Sequence, residues 1–369
     1  MKQLTLLVAM TNNLNKIFHG DTIEVLKTFP DECVDVIFAD PPYFMQTDKK
    51  TLQRADGTGE FKGCNDDWDK YKDYQEYDSF TTEWLKECRR VLKQNGTIWV
   101  IGSFQNIFRV GYIMQNMGFW ILNDIIWSKN NPTPNMAGTR FCNAHETLLW
   151  CAKSNKSKFT FNYKTMKKLN GDKQERSVWQ LNICQGSERL KDKEGKKLHN
   201  TQKPISLLEK IILSSTKPND IILDPFFGTG TTGVVAKKYN RKFIGIEQEE
   251  KYIESAQKRI QKQGDCSDDI SNLTLETKPP RISMEQLLQG GLLYAGQTLY
   301  NALGEPICIV QKTGKVLYEN EEYSIHKLAA KLLKKQNHNG WEFFYVHYST
   351  ILLPINRLRY MYKELLEQT

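Results

Sequence analysis

One stretch restricts this chain more than any other: Val34-Asp35-Val36-Ile37-Phe38-Ala39-Asp40-Pro41-Pro42-Tyr43. Its first six residues are mostly apolar and rich in β-branched side chains, which predicts a short buried strand. Two prolines end it, because proline cannot donate to a ladder and restricts the residue before it. Asp40 is therefore expected at a strand tip, with Tyr43 on the tight loop beyond, where open α/β sheets take their ligands. Alone, the stretch also fits a plain strand running into a Pro-rich turn.

A second anchor lies far downstream, at residues 220–233. Ile221-Ile222-Leu223 reads as a strand, followed by Asp224-Pro225-Phe226-Phe227-Gly228-Thr229-Gly230-Thr231-Thr232-Gly233 and a helix over Val234 to Tyr239. The glycines permit unusual backbone and close ligand approach. The Gly-Lys-Ser/Thr ending of a phosphate-binding P-loop is missing, and no lysine sits where a phosphate would need one. An acid and a proline stand at the tip instead. The next strand, Lys242 to Ile246, ends in Glu247, at the spacing that places an acid on ribose hydroxyls in dinucleotide folds.

Between and around the anchors, strand and helix signals alternate. Leu14 to Pro30 reads as strand-turn-helix. Ser79 to Lys93 is predicted as a Ser-capped helix closed by Asn95-Gly96, followed by a strand over Thr97 to Ile101. Ile107 to Met117 is a helix, and Ile121 to Trp127 and Glu146 to Cys151 are strands about a polar Asn130–Asn135 loop. Thr201-Gln202-Lys203-Pro204 opens a helix over Ile205 to Ser215. This alternation predicts an α/β fold, a doubly wound, mostly parallel sheet. Phe44 to Tyr77 is a long polar loop, in which Trp68, Tyr71 and Tyr74 either contact bases or anchor the loop.

The 369 residues suggest two domains. The first is placed at 14–264, with a linker at 265–281 and a smaller α+β domain at 282–369. There Ile307 to Gln311 and Lys315 to Tyr318 signal a hairpin, Ser324 to Leu333 a capped helix, and Asn339-Gly340-Trp341 the start of a strand over Glu342 to His347. The net charge of +8 is concentrated: residues 151–200 carry 13 Lys and Arg against 5 Asp and Glu. Phe159, Phe161, Tyr163 and Trp179 interleave with those charges, a composition that suits a nucleic-acid surface. Eight cysteines without a Cys-x-x-Cys pair argue against a zinc site or disulfide framework and for a reducing cytoplasm. The apolar run Leu4 to Met10 is too short to span a membrane and reads as a loosely attached start.

An acid, two prolines and an aromatic at one strand tip suit methylation of an exocyclic amino group. That nitrogen's lone pair is delocalised into the ring. Acceptors on its hydrogens localise the pair and stabilise the charge that develops. Asp40 offers a carboxylate, Pro41 a carbonyl and Tyr43 a flat face. Asp40-Pro41-Pro42-Tyr43 resembles the catalytic motif of amino DNA methyltransferases, whose Asp form usually marks adenine N6 enzymes. With the catalytic motif first and the Gly-rich motif last, the chain resembles the permuted β group. Asp40 to Gln46, Trp99 to Asn106, Thr139 to Trp150 and Asp224 to Thr232 are similar to the HinfI/CcrM type, which methylates adenine within GANTC. The likeness runs from about Leu14 onward.

The resemblance implies a Rossmann-like methyltransferase fold and S-adenosyl-L-methionine as cofactor. It implies catalytic Asp40, Pro41, Pro42 and Tyr43. Cofactor contacts are implied for Asp21, Lys203, Asp224, Pro225, Phe226, Gly228, Thr229, Gly230, Thr231 and Glu247. Asp21 serves equally well as a helix N-cap. Residues 151–200 correspond to the target recognition region. Ser324, Asn339 and Trp341 match an appended DNA-binding domain, although Trp341 also fits core packing. Double-stranded DNA is the implied partner, with a homodimer and a cognate restriction endonuclease left open and no membrane or metal. The alternatives are a cytosine N4 or RNA methyltransferase, or a DNA-binding module without turnover.

Overall fold

The computed structural model describes residues 13–45, 52–53, 60–61, 69–135, 138–199, 201–264, 280–348 and 351–368. The chain divides into two compact units between residues 276 and 277. The strands of the first are β1 (Lys16–His19), β2 (Val34–Ala39), β3 (Leu52–Gln53), β4 (Glu60–Phe61), β5 (Leu92–Gly102), β6 (Trp120–Lys129), β7 (His145–Ala152), β8 (Val178–Leu181), β9 (Ile221–Asp224) and β10 (Lys242–Glu247). Its helices are α1 (Thr22–Lys27), α2 (Tyr74–Val91), α3 (Ile107–Asn116), α4 (Tyr163–Leu169), α5 (Ile205–Ser215), α6 (Thr231–Lys238) and α7 (Glu250–Lys262).

Eight of these strands form one sheet in the order β1-β10-β9-β2-β5-β7-β6-β8, while β3 and β4 pair with each other. Within the large sheet only β7 runs against its neighbours; the remaining pairings are parallel. Burial on both faces makes the central strands almost continuously apolar. In β2 only Asp35 escapes full burial, and it is pinned, its carboxylate meeting Lys93 at 2.7 Å and accepting the Ile221 N–H at 2.9 Å. One apolar cluster joins the sheet to α1, α2 and α3 through Leu26, Trp84, Leu85, Val110 and Met114. The other joins it to α4 through α7, through Met166, Leu208, Ile211, Val235 and Ala256. The sheet is thus wound on both sides, as the alternation predicts. The register Ile37↔Leu223 and Gly245↔Asp224 sets the tips of β2, β9 and β10 side by side.

Several boundaries differ from the sequence expectation. Helix α2 begins at Tyr74, not Ser79, because the Asp73 carboxylate caps it by accepting the Glu76 N–H at 2.9 Å. Ser79 lies within the helix and donates back to the Gln75 carbonyl. Asn95-Gly96 is not a helix stop but part of β5. Gly96 is required there because a Cβ would stand 2.7 Å from the Asp35 carbonyl oxygen. The 151–200 stretch is not wholly an insert, since β8 joins the sheet beside β6 and Trp179 is buried in the core under the Lys210 ammonium. Trp179 is therefore no surface aromatic. Tyr71 and Tyr74 pack edge-on against Phe44, the anchoring outcome. Trp68, the first twelve residues and the linker positions 265–279 lie outside the described residues.

The second unit holds α8 (Met284–Gln289), β11 (Thr298–Tyr300), β12 (Pro306–Val310), β13 (Val316–Tyr318), β14 (Glu321–Tyr323), α9 (Ile325–Leu332), α10 (Gly340–Phe343), β15 (Tyr345–Tyr348), β16 (Ile351–Pro354) and α11 (Ile355–Gln368). Its sheet has the order β14-β13-β12-β11-β15-β16 and is antiparallel throughout. The predicted hairpin is β12–β13, and Ser324 caps α9. Asn339-Gly340-Trp341 does not begin a strand: the Asn339 side chain accepts the Trp341 N–H and caps α10.

Candidate active site

The loop after β2 is held by groups that local sequence does not reveal. The Asp69 carboxylate accepts the backbone N–H groups of Tyr43 and Phe44 at 2.6 and 2.7 Å through one oxygen, and that of Met45 at 2.8 Å through the other. Consecutive N–H groups converging on one carboxylate form an anion nest, filled here from within the chain. Phe44 adopts φ 52° to allow it. The Tyr77 hydroxyl donates to the Pro42 carbonyl at 3.0 Å, and Asn106 in turn donates to that hydroxyl. Among the described residues nothing donates to the Pro41 carbonyl.

Behind this loop lies a buried charged cluster. Lys203 Nζ bonds both Asp40 oxygens, at 2.9 and 2.7 Å. The Tyr43 hydroxyl stands 2.9 Å from Asp40 Oδ1 and 3.2 Å from Glu146 Oε2. Glu146 also bonds Lys129 at 2.6 Å and lies 3.8 Å from Lys203. Burial pushes the Asp40 carboxyl up against the pull of Lys203. Burial also raises Glu146, but Lys203 and Lys129 outweigh it and hold that carboxyl below its ordinary value. Burial lowers the Lys203 ammonium, and Asp40 and Glu146 more than restore it. Tyr43, buried between two carboxylates, is held as a neutral phenol.

At the next tip, burial pushes the Asp224 carboxyl up to about 7, although it accepts the Thr232 hydroxyl and the Phe226 N–H. Glu247, ending β10, accepts the Gly228 and Glu249 N–H groups at 2.7 and 2.9 Å through different oxygens. Each oxygen keeps a lone pair for a further donor. Asp21 does two jobs: it caps α1 by accepting from Ile23 and Glu24, and its second oxygen accepts from Gln248.

These tips enclose a cavity of about 300 Å³, the lower end of the range of roughly 300–1,000 Å³ for small-molecule clefts. Asp40, Pro41, Pro42, Tyr43, Asp21, Lys203, Asp224, Pro225, Phe226, Gly228, Thr229, Thr231 and Glu247 all line it. Gly230 does not. It holds φ 76°, and a Cβ there would meet that of Ala256 at 2.6 Å, so its place is the tight packing of α6 on α7. Sequence reasoning missed Asp69, Glu146, Lys129, His199 and Tyr252. Only Glu146 carried a signal, as an acid opening an otherwise apolar strand. In the second unit Ser324 and Asn339 are exposed helix caps, whereas Trp341 is buried in the core with the Arg359 guanidinium 4.5 Å from its ring centre. Among the described residues there is no acid, His and Cys grouping able to hold a metal, and no helix long and apolar enough to cross a membrane.

A doubly wound sheet whose ligand cavity spans three adjacent acidic strand tips, at Asp40, Asp224 and Glu247, defines a nucleotide-binding type of α/β protein. Residues 34–258 match the model of the family described as DNA methylase, N6_N4 type. The chain is 60% identical over 349 residues to the type II methyltransferase M.HinfI of Haemophilus influenzae, covering 95% of this chain and 97% of that one. It is 45% identical over 247 residues to the type II methyltransferase M2.LlaDCHI of Lactococcus lactis subsp. cremoris, covering 67% and 89%. The PvuII DNA methyltransferase, a cytosine-N4-specific protein, superposes with a TM-score of 0.52 at 22% identity, over 70% of this chain and 90% of that one, a likeness of fold. The chain belongs to the DNA methylase family and is an S-adenosylmethionine-dependent DNA methyltransferase.

Proposed function

We propose that this chain methylates the N6 amino group of adenine in double-stranded DNA, within GANTC. The observation that carries the reading is the β2 tip, where the Asp40 carboxylate, the unengaged Pro41 carbonyl and the Tyr43 ring face one cavity. The recognition sequence rests on the resemblance to the HinfI/CcrM type, which the 60% identity to M.HinfI supports.

The cavity suits the cofactor on chemical grounds. A ribose diol needs paired acceptors, and Glu247 supplies two oxygens with lone pairs to spare. Phe226, Thr229, Asp21 and Asp224 line the same cavity and would help to hold the ligand. When bound, S-adenosylmethionine supplies an electrophilic methyl group on a sulfonium. The chain's own residues do the rest. Extruding the adenine costs a few kcal/mol, of which stacking on Tyr43 returns roughly 1–3 kcal/mol. Asp40 and the Pro41 carbonyl accept the two amino hydrogens, fixing the nitrogen and stabilising the charge it gains. Holding both reactants aligned can supply about 7–11 kcal/mol of the barrier.

The exposed lysines of residues 151–200 would meet the phosphates, and the exposed caps Ser324 and Asn339 would add contacts from the second unit. The likeness to proteins named type II methyltransferases supports a cognate endonuclease and action in the cytoplasm, where such DNA lies. Nucleoside analysis of duplex DNA incubated with protein and cofactor tests the reading. N6-methyladenine and protection from a GANTC-cutting nuclease are expected; N4-methylcytosine, or no product, overturns it. Asp40→Ala should abolish transfer while cofactor affinity stays within about threefold.

A further inference from the structure

The Lys203 ammonium stands where the target should. It bonds both oxygens of Asp40 and lies 5.2 Å from the centre of the Tyr43 ring. Tyr43 is only 7% exposed, its hydroxyl lodged between Asp40 and Glu146. A base stacked on Tyr43 with its amino group on Asp40 would compete with Lys203 for the same oxygens and the same ring. A fixed cation there would also oppose the positive charge that the amino nitrogen acquires. Lys203 must therefore leave Asp40, and a buried ammonium cannot leave one carboxylate without another to receive it.

Glu146 is that receiver. Its Oε2 already lies 3.8 Å from Lys203 Nζ, so a shift of about 1 Å makes a charge-assisted hydrogen bond. Its Oε1 is tied to Lys129 at 2.6 Å, which fixes the carboxylate at the start of β7 and leaves Oε2 turned toward Lys203 and Tyr43. The side chains of Lys203, Asp40, Glu146 and Lys129 all have low exposure, between 7% and 16%. Solvent therefore does not take the place of either acid.

We propose that Glu146 is a positioning residue for methyl transfer: it draws Lys203 off Asp40 and holds the Tyr43 hydroxyl, so that Asp40 and the Tyr43 face are cleared when the base arrives. The inference rests on the adenine N6 reading. Glu146→Gln keeps an acceptor for Tyr43 and removes the charge that competes for Lys203. Its single-turnover transfer rate is expected to fall on the order of 10- to 100-fold, with cofactor binding within about threefold of wild type. Extrusion, read from the fluorescence of a duplex carrying 2-aminopurine at the target position, should persist. Lys129→Met should stay at least about tenfold faster than Glu146→Gln, because it leaves the receiving charge in place.

A pair that serves only to fill the interior would lose equally from either side, so equal losses overturn the proposal, as does a wild-type rate for Glu146→Gln. Should Glu146→Gln not fold, Lys129→Met/Glu146→Gln removes both charges together and carries the same comparison; a wild-type rate in that variant overturns it. Wild-type protein that makes no N6-methyladenine overturns the underlying reading. Wild-type protein that makes it alongside an unimpaired Glu146→Gln overturns only the role of Glu146.

Discussion

Asp224 shows what burial does to one carboxyl at this site. Unfolded, the group releases its proton near the ordinary carboxylate value; folded, it keeps it up to about 7. Between those values the folded state holds the extra proton, so stability falls as pH rises through that window and is lowest above it. A shift of this size amounts to roughly 4 kcal/mol. Asp224→Asn removes the titration while keeping an oxygen for the Phe226 N–H. The melting temperature of the variant relative to wild type should therefore rise between about pH 5 and about pH 8. A pH-independent difference would show that Asp224 does not carry the raised value. Burial pushes the Asp40 carboxyl in the same direction, there against the pull of Lys203.

Among elements, the junction of β9, α6 and α7 depends on the backbone coming close. Gly230 opens α6 in the left-handed region, at φ 76°, and lies against Ala256 of α7. Gly230→Ala meets both the conformational penalty and the overlap, together roughly 2–4 kcal/mol. Denaturant titration should show a loss of that order, with weakened cofactor binding, since the same loop presents Gly228 and Thr229 to the cavity. A variant as stable as wild type would mean that α7 yields without cost. Helix α2 teaches a related point. Ser79 is a good cap residue by type, yet Asp73 does the capping, because the loop before α2 carries Asp69 to the β2 tip and starts the helix earlier.

For the molecule as a whole, charge decides the encounter with DNA. Lys191 to Leu198 forms a basic turn closed by the Leu198 N–H on the Leu190 carbonyl, and His199 beyond it lines the cavity. Lys193 and Lys197 on this turn are exposed. Replacing both with Gln should lower the slope of log affinity against log salt by about 1–2, at roughly 0.9 for each phosphate that a lysine no longer neutralises. A slope equal to wild type, measured by anisotropy on a GANTC duplex, would place this turn away from the phosphates. Other members of the basic stretch are already committed: Lys153 pairs with Glu32 and donates to the Leu92 carbonyl inside the protein. Net charge by stretch is legible in a sequence; which charges face outward is not.

The order of elements, the doubly wound sheet, the acidic tips at Asp40, Asp224 and Glu247, and the caps Asp21 and Ser324 were determined by the sequence itself. They follow from nearest-neighbour sterics, apolar periodicity and short-range hydrogen bonds, which act within a few residues. Tertiary structure alone decided that Asp69 would pin the Tyr43 loop from 26 residues away, and that Lys203 would close on Asp40 across 163. It also decided that Glu146 and Lys129 would complete the cluster and that Trp179 and Trp341 would turn inward. Such pairings depend on where the chain returns, and a buried charge takes whichever partner the packed fold brings within reach.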